Sequence, residues 1–139
     1  MFSSTKKTIK QPVIYLVDQD ENALASLSSL LAPLNATILS FTSAESLLRD
    51  PGISHASCML IEANLQDTQA GGIDLLENLV HQGHHIPTII VASMGDIPTA
   101  VRAMQAGAID FFEKPYIEHL LVKEVKTILQ QHPNYPLSQ

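Results

Sequence analysis

Five short apolar runs, each followed by a segment of helical spacing, constrain the fold of this chain more than any other feature. They are 13–17 ("VIYLV"), 36–41 ("ATILSF"), 58–61 ("CMLI"), 88–92 ("TIIVA") and 108–112 ("AIDFF"). Apolar runs this short, with β-branched members, read as buried strands. Behind the first, Asp20 can cap a helix in which Leu24, Leu27, Leu31 and Leu34 recur at helical spacing. "TSAE" (42–45) has capping-box spacing and opens a short helix that "DPG" (50–52) ends. A third helix is expected over 72–81. A fourth over 96–107 has Asp96 at its cap, Pro98 in its first turn and Gly107 at its end. An amphipathic fifth helix runs over 117–131. Strand and helix alternate five times, which predicts an α/β, doubly wound parallel sheet with helices on both faces.

The chain has 139 residues, enough for one core. No apolar run approaches the roughly 20 residues that cross a bilayer, so no membrane association is expected. Residues 1–12 carry Lys without an apolar stretch and are expected to be a mobile arm, not a secretory signal. They precede a single domain over 13–131. Residues 132–139 hold two prolines among polar residues and read as a linker or tail. The single Cys58 excludes an intrachain disulfide and suits a reducing cytoplasm. At the head of a buried strand it belongs to the core, not to reactive chemistry. A net charge of −6 argues against this segment gripping nucleic-acid phosphates.

In such sheets, ligand sites form at the carboxyl ends of the strands. Here those ends are Asp18, Gln19 and Asp20, then Glu62, then Ala92 and Ser93, then Lys114. The residues alone leave two readings open. Clustered acids can hold a hard divalent cation such as Mg²⁺, with the lysine neutralising a phosphoryl oxygen. Equally, Asp18 and Asp20 can be turn and cap residues while Lys114 forms a buried ion pair with Glu62.

Over about residues 12–131 the chain resembles the receiver domain of bacterial two-component response regulators, in particular the FixJ-like subfamily with a LuxR-type DNA-binding domain. "GDIPTAVRAMQAGAIDFFEKPY" (95–116) carries most of the likeness, and "YLVDQDENALASLSSLL" and "FTSAESLL" match the start. The resemblance implies a flavodoxin-like sheet of strand order 2-1-3-4-5. It also implies a site, carried over position by position. The acidic pair falls on Asp18 and Gln19, so the direct Mg²⁺ ligand is an amide. The phosphoacceptor falls on Glu62, and the phosphoryl-binding hydroxyl on Ala92. Ser93 is one residue late and is expected to point elsewhere. The lysine is kept as Lys114, before Pro115, whose peptide bond is often cis in the family. Phe111 takes the aromatic switch position, and Leu65-Gln66 the usual Met-Pro place in a loop about two residues longer. Arg102, Gln105, Asp110, Phe111, Glu113, Tyr116 and Lys123 would lie on the signalling and self-association face.

Acceptor, hydroxyl and direct metal ligand are thus all altered. The expected function is that of a degenerate pseudo-receiver: not an enzyme, but a phosphorylation-independent regulatory and dimerisation module. It would form the input domain of a transcription regulator, with a fused or partner DNA-binding output domain. Mg²⁺ binding would be weak or absent, with no metal expected elsewhere. One alternative is a working phospho-accepting receiver served by a histidine kinase. Another is a flavodoxin-like binder of a small anion or nucleotide. His81, His84 and His85 suit a helix end better than a metal site. Met94 and Met104 are expected to be packing residues, and Asp67 to be a solvated loop residue, not a substitute acceptor.

Overall fold

The computed structural model describes residues 11–65, 71–93, 95–133 and 135. Strands β1 (Val13–Val17), β2 (Thr37–Phe41), β3 (Cys58–Glu62), β4 (Thr88–Ala92) and β5 (Asp110–Glu113) alternate with helices α1 (Glu21–Leu31), α2 (Ala44–Leu48), α3 (Gly72–His81), α4 (Ile97–Ala106) and α5 (Glu118–Leu129). All pairings are parallel and the strand order is β2-β1-β3-β4-β5. This is the doubly wound, flavodoxin-like arrangement expected.

Side chains alternate across the sheet and divide the core in two. Tyr15, Val17, Met59, Ile61 and Ile90 face Leu47 of α2, Leu75, Leu76 and Leu79 of α3, and Ala103 of α4. Ile14, Leu16, Leu60, Ile89 and Val91 face Leu24, Leu27 and Leu31 of α1 and Leu121, Val125 and Ile128 of α5. Burying each such side chain stabilises the fold by roughly 1.5–3 kcal/mol. Cys58 is fully buried in the second layer, as its strand position implies.

Four local expectations need correction. β2 and β5 are sheet edges and are not buried throughout, unlike β3 and β4. α1 stops at Leu31, and Pro33 sits in a separate 3₁₀ turn over Ala32–Leu34 ended by left-handed Asn35. The second helix is capped by Ser43, not Thr42: its Oγ accepts the Ser46 amide at 3.1 Å. β5 starts two residues late, because Ala108 and Ile109 complete the turn out of Gly107, which closes α4 at φ +113°. Met104 is also not a packing residue: it is 47% exposed. The expected assignments of residues 1–10, Gln66, Asp67, Met94 and the last four residues lie outside the described residues. Tyr135, within the expected tail, packs against the second core layer.

Candidate functional site

Register sets the site. Val17 is level with Ile61, Glu62 with Val91, and Ala92 with Glu113. The residues that leave the strands at this edge therefore converge. Asp18 is fixed when its backbone N–H donates to the Phe41 carbonyl at 3.0 Å, and Lys114 when its own donates to the Ala92 carbonyl at 2.8 Å. The Lys114–Pro115 peptide bond is cis.

Glu62 is the centre. It is 2% exposed, yet its carboxylate is fully engaged. Oε1 accepts the Ser93 hydroxyl at 3.0 Å and pairs with Lys114 Nζ at 2.9 Å. Oε2 accepts the backbone N–H of Asn64 at 3.0 Å and that of Ser93 at 3.1 Å. A carboxylate offers about four acceptor positions, and all are used. Asp18 is almost as buried. Its Oδ2 lies 3.1 Å from Lys114 Nζ, and its Oδ1 accepts the Asp20 amide at 2.9 Å. Lys114 thus stands between two carboxylates. Burial alone would lower its pKa, but the hydrogen bonds and charges of Glu62 and Asp18 prevail and raise it. The expected Lys114–Glu62 ion pair therefore exists, and Asp18 shares the lysine in addition to holding the turn.

Two glycines let the next helix approach this loop. A Cβ on Gly72 would fall 2.1 Å from the Glu62 carbonyl oxygen, and one on Gly71 2.1 Å from that of Ala63. Gly71 also has φ +77°, a conformation that favours glycine.

The structure brings Asp18, Glu62, Ala92 and Lys114 together at this edge and puts Gln19 at its rim. The Gln19 amide is exposed and donates to the Asn64 carbonyl at 3.3 Å. Ala92 is buried and presents only a methyl group. The expectation that Ser93 points elsewhere is wrong. β4 ends at Ala92, so the in-and-out alternation no longer governs Ser93, and both its amide and hydroxyl reach Glu62. The Asn64 amide was missed too; a backbone donor leaves no mark in the sequence.

The other expected residues lie apart. Phe111 packs against the first core layer, with its ring 3.0 Å from where a Gly95 Cβ would stand. Tyr116 is half-buried, edge-on to Phe112 with ring centroids 6.1 Å apart. Arg102 is engaged within the chain: its guanidinium pairs with Asp74 and, at 3.1 Å, with Glu77, both on α3. Apolar side chains are exposed on the same elements: Ile97, Val101 and Met104 on α4, Ile109 before β5, and Leu120 on α5. His81 ends α3, and among the described residues no three His, Cys, Asp or Glu side chains gather as a metal site. No helix among them is long and apolar enough to cross a membrane.

Comparison with known proteins is consistent with this geometry. The family model for the response regulator receiver domain matches residues 14–126. The chain is 37% identical over 124 residues to the response regulator protein TmoT of Ectopseudomonas mendocina, covering 89% of this chain and 56% of that protein. It is 31% identical over 114 residues to the transcriptional regulatory protein FixJ of Rhizobium meliloti, covering 81% and 54%. The chain therefore spans about half the length of the curated relatives it matches. A crystal structure of a response regulator receiver protein from Pseudoalteromonas atlantica superposes with a TM-score of 0.82 at 55% identity, covering 86% of this chain and 98% of that one.

Proposed function

Because the chain belongs to the response regulator receiver family, we propose that it works as a pseudo-receiver, a regulatory module whose competent state does not wait for phosphate. One observation carries this reading. The donors that would receive a phosphoryl group on a shorter acceptor (Lys114 and the loop amides of Asn64 and Ser93) are already taken by the carboxylate of Glu62. Glutamate is one methylene longer than aspartate, so its carboxylate reaches the place where a phosphoryl oxygen of phospho-aspartate would sit. Phosphoryl transfer depends on in-line positioning and on charge neutralisation, both sensitive to small displacements.

The residues also fit Mg²⁺ poorly. The ion requires oxygen ligands in near-octahedral geometry. Asp18 has one oxygen on the Asp20 amide and the other on Lys114, Gln19 supplies a neutral amide, and Glu62 is saturated. Calorimetric titration with Mg²⁺ is expected to give weak heats or none; affinity like that of a phosphorylatable receiver would count against the proposal.

The module is assigned to the cytoplasm, as the input half of a transcription regulator with a DNA-binding output domain. Support comes from the relatives, of which the matched stretch makes up little more than half, and which include a protein named as a transcriptional regulator. The exposed apolar side chains of α4, with Ile109 before β5 and Leu120 on α5, support self-association as a homodimer. No catalytic turnover is assigned to it. The retained Lys114 and the family likeness equally suit a phospho-accepting receiver served by a histidine kinase. A small-anion or nucleotide site has less support, since Lys114 is neutralised by two carboxylates. Incubation with a small phosphodonor and Mg²⁺, followed by intact mass measurement, separates the first two readings. An unchanged mass is expected. A phosphoryl adduct overturns the pseudo-receiver and establishes the phospho-accepting one.

A further inference from the structure

The two edges of the sheet are guarded unequally. β5 carries Asp110 and Glu113 and runs into Lys114 and Pro115. Charge and proline are among the devices that keep other strands away from an edge. β2 has neither. No charged side chain lies between Glu21 and Glu45, and Thr37, Leu39 and Ser40 are exposed. We propose that the free edge of β2 is a docking site for a second copy of this chain, the two β2 strands pairing antiparallel about a two-fold axis through Leu39.

Register shows which backbone groups are free. Thr37 donates its backbone N–H to the Pro12 carbonyl at 2.9 Å, and the Phe41 carbonyl accepts the Asp18 amide at 3.0 Å. Thr37 is level with Val13 and Phe41 with Val17, so the ladder to β1 takes the N–H and C=O of Thr37, Leu39 and Phe41. The same groups of Ile38 and Ser40 point off the edge, where no further strand lies among the described residues.

Such a row of orphan groups is completed by an extended backbone. A second β2 fits on two grounds. The first is geometric. With the strands antiparallel about Leu39, Ile38 of one copy faces Ser40 of the other, and each outward N–H and C=O meets its complement. Leu39 then faces its own mate, which covers an apolar side chain that is 37% exposed. The second is charge. Copies of net charge −6 repel, and contact is least opposed along a strand without acids. Five residues a side make a small interface, below the roughly 1,200 Å² of stable complexes, so the pairing is transient and forms at high protein concentration. It lies at the opposite edge of the sheet from β5 and is separate from the exposed α4 side chains.

Backbone amide exchange followed by NMR on the parent chain, from about 0.05 to about 1 mM, reads the pairing directly. The Leu39 and Phe41 amides are expected to be protected at every concentration, because they bond within the chain. The Ile38 and Ser40 amides are expected to exchange freely when dilute and at least about tenfold more slowly when concentrated. Leu39→Lys sets like charges opposite each other on the axis, and Ser40→Pro removes an outward N–H without touching the ladder to β1. Each is expected to abolish the slowing, and Val101→Lys on α4 to leave it intact. Ile38 and Ser40 amides that stay fast at the highest concentration overturn the proposal and leave the edge to an extended segment of a different protein. Slowing that survives Leu39→Lys overturns it as well, and slowing lost in Val101→Lys places the contact on α4 instead. The parent measurement decides alone if a variant does not fold.

Discussion

A carboxylate accepting four hydrogen bonds in a buried site has little left to offer a metal or an incoming phosphoryl group, and Glu62 is in that condition. Shortening it is not enough to undo this. Glu62→Asp is expected to take up no phosphoryl group, because Gln19 and Ala92 still lack the metal ligand and the hydroxyl. The triple change Gln19→Asp, Glu62→Asp, Ala92→Thr is expected to gain more than its parts together, since such groups act as a unit. Intact mass after phosphodonor treatment reads both; uptake by the single variant would show that the amide and methyl positions matter little. Ser93→Ala removes one bond to Glu62 and leaves three. It is expected to cost about 1 kcal/mol by urea unfolding. Asp18, Glu62 and Lys114 were legible as site residues because an apolar strand that ends in a charge marks the sheet edge. Ser93 was not, because its orientation depends on where β4 stops, and strand ends are poorly marked in sequence.

Between elements, the Arg102 guanidinium ties α4 to Asp74 and Glu77 of α3. Asp74 holds its pKa above the ordinary arginine value, but the group is well solvated, and exposed pairs contribute little. Arg102→Ala is expected to cost less than about 1 kcal/mol in urea unfolding, with the difference shrinking at high salt. An undiminished loss at high salt would mean that packing of the arginine stem, not charge, joins the helices. Arg102, expected on the signalling face, thus also holds a contact within the chain that the sequence did not suggest. Periodicity says which face of a helix is polar, not which neighbouring helix carries its acid. Helix starts were legible where a single Asp fixes them: Asp20 accepts the Asn22 amide at 2.9 Å, and Asp96 the Thr99 amide at 2.8 Å. The start of β5 was not, since "AIDFF" is apolar on both sides of the turn that Gly107 imposes.

For the whole molecule, alternation of five strands with helices made the two-layered sheet readable. The exposure of β2 and β5 was not, because an edge strand differs from a central one only by what lies beside it. The proposed self-association face is tested by analytical ultracentrifugation. Val101→Lys puts a charge into the apolar patch of α4 and is expected to weaken association. If the crevice biases that face by a few kcal/mol at most, Glu62→Gln and Lys114→Ala are expected to weaken it too. Should both associate like the parent while remaining folded, the crevice has no say in the face. The saturated Glu62 has one more consequence, and it concerns time. A phosphoryl group has a lifetime: it is added, it hydrolyses, and the interval carries information. A side chain tethered by its own backbone neither arrives nor leaves. If the proposed function holds, a module read through such a residue keeps no clock, and its message would be ended only by removing the chain itself or by an input that enters elsewhere.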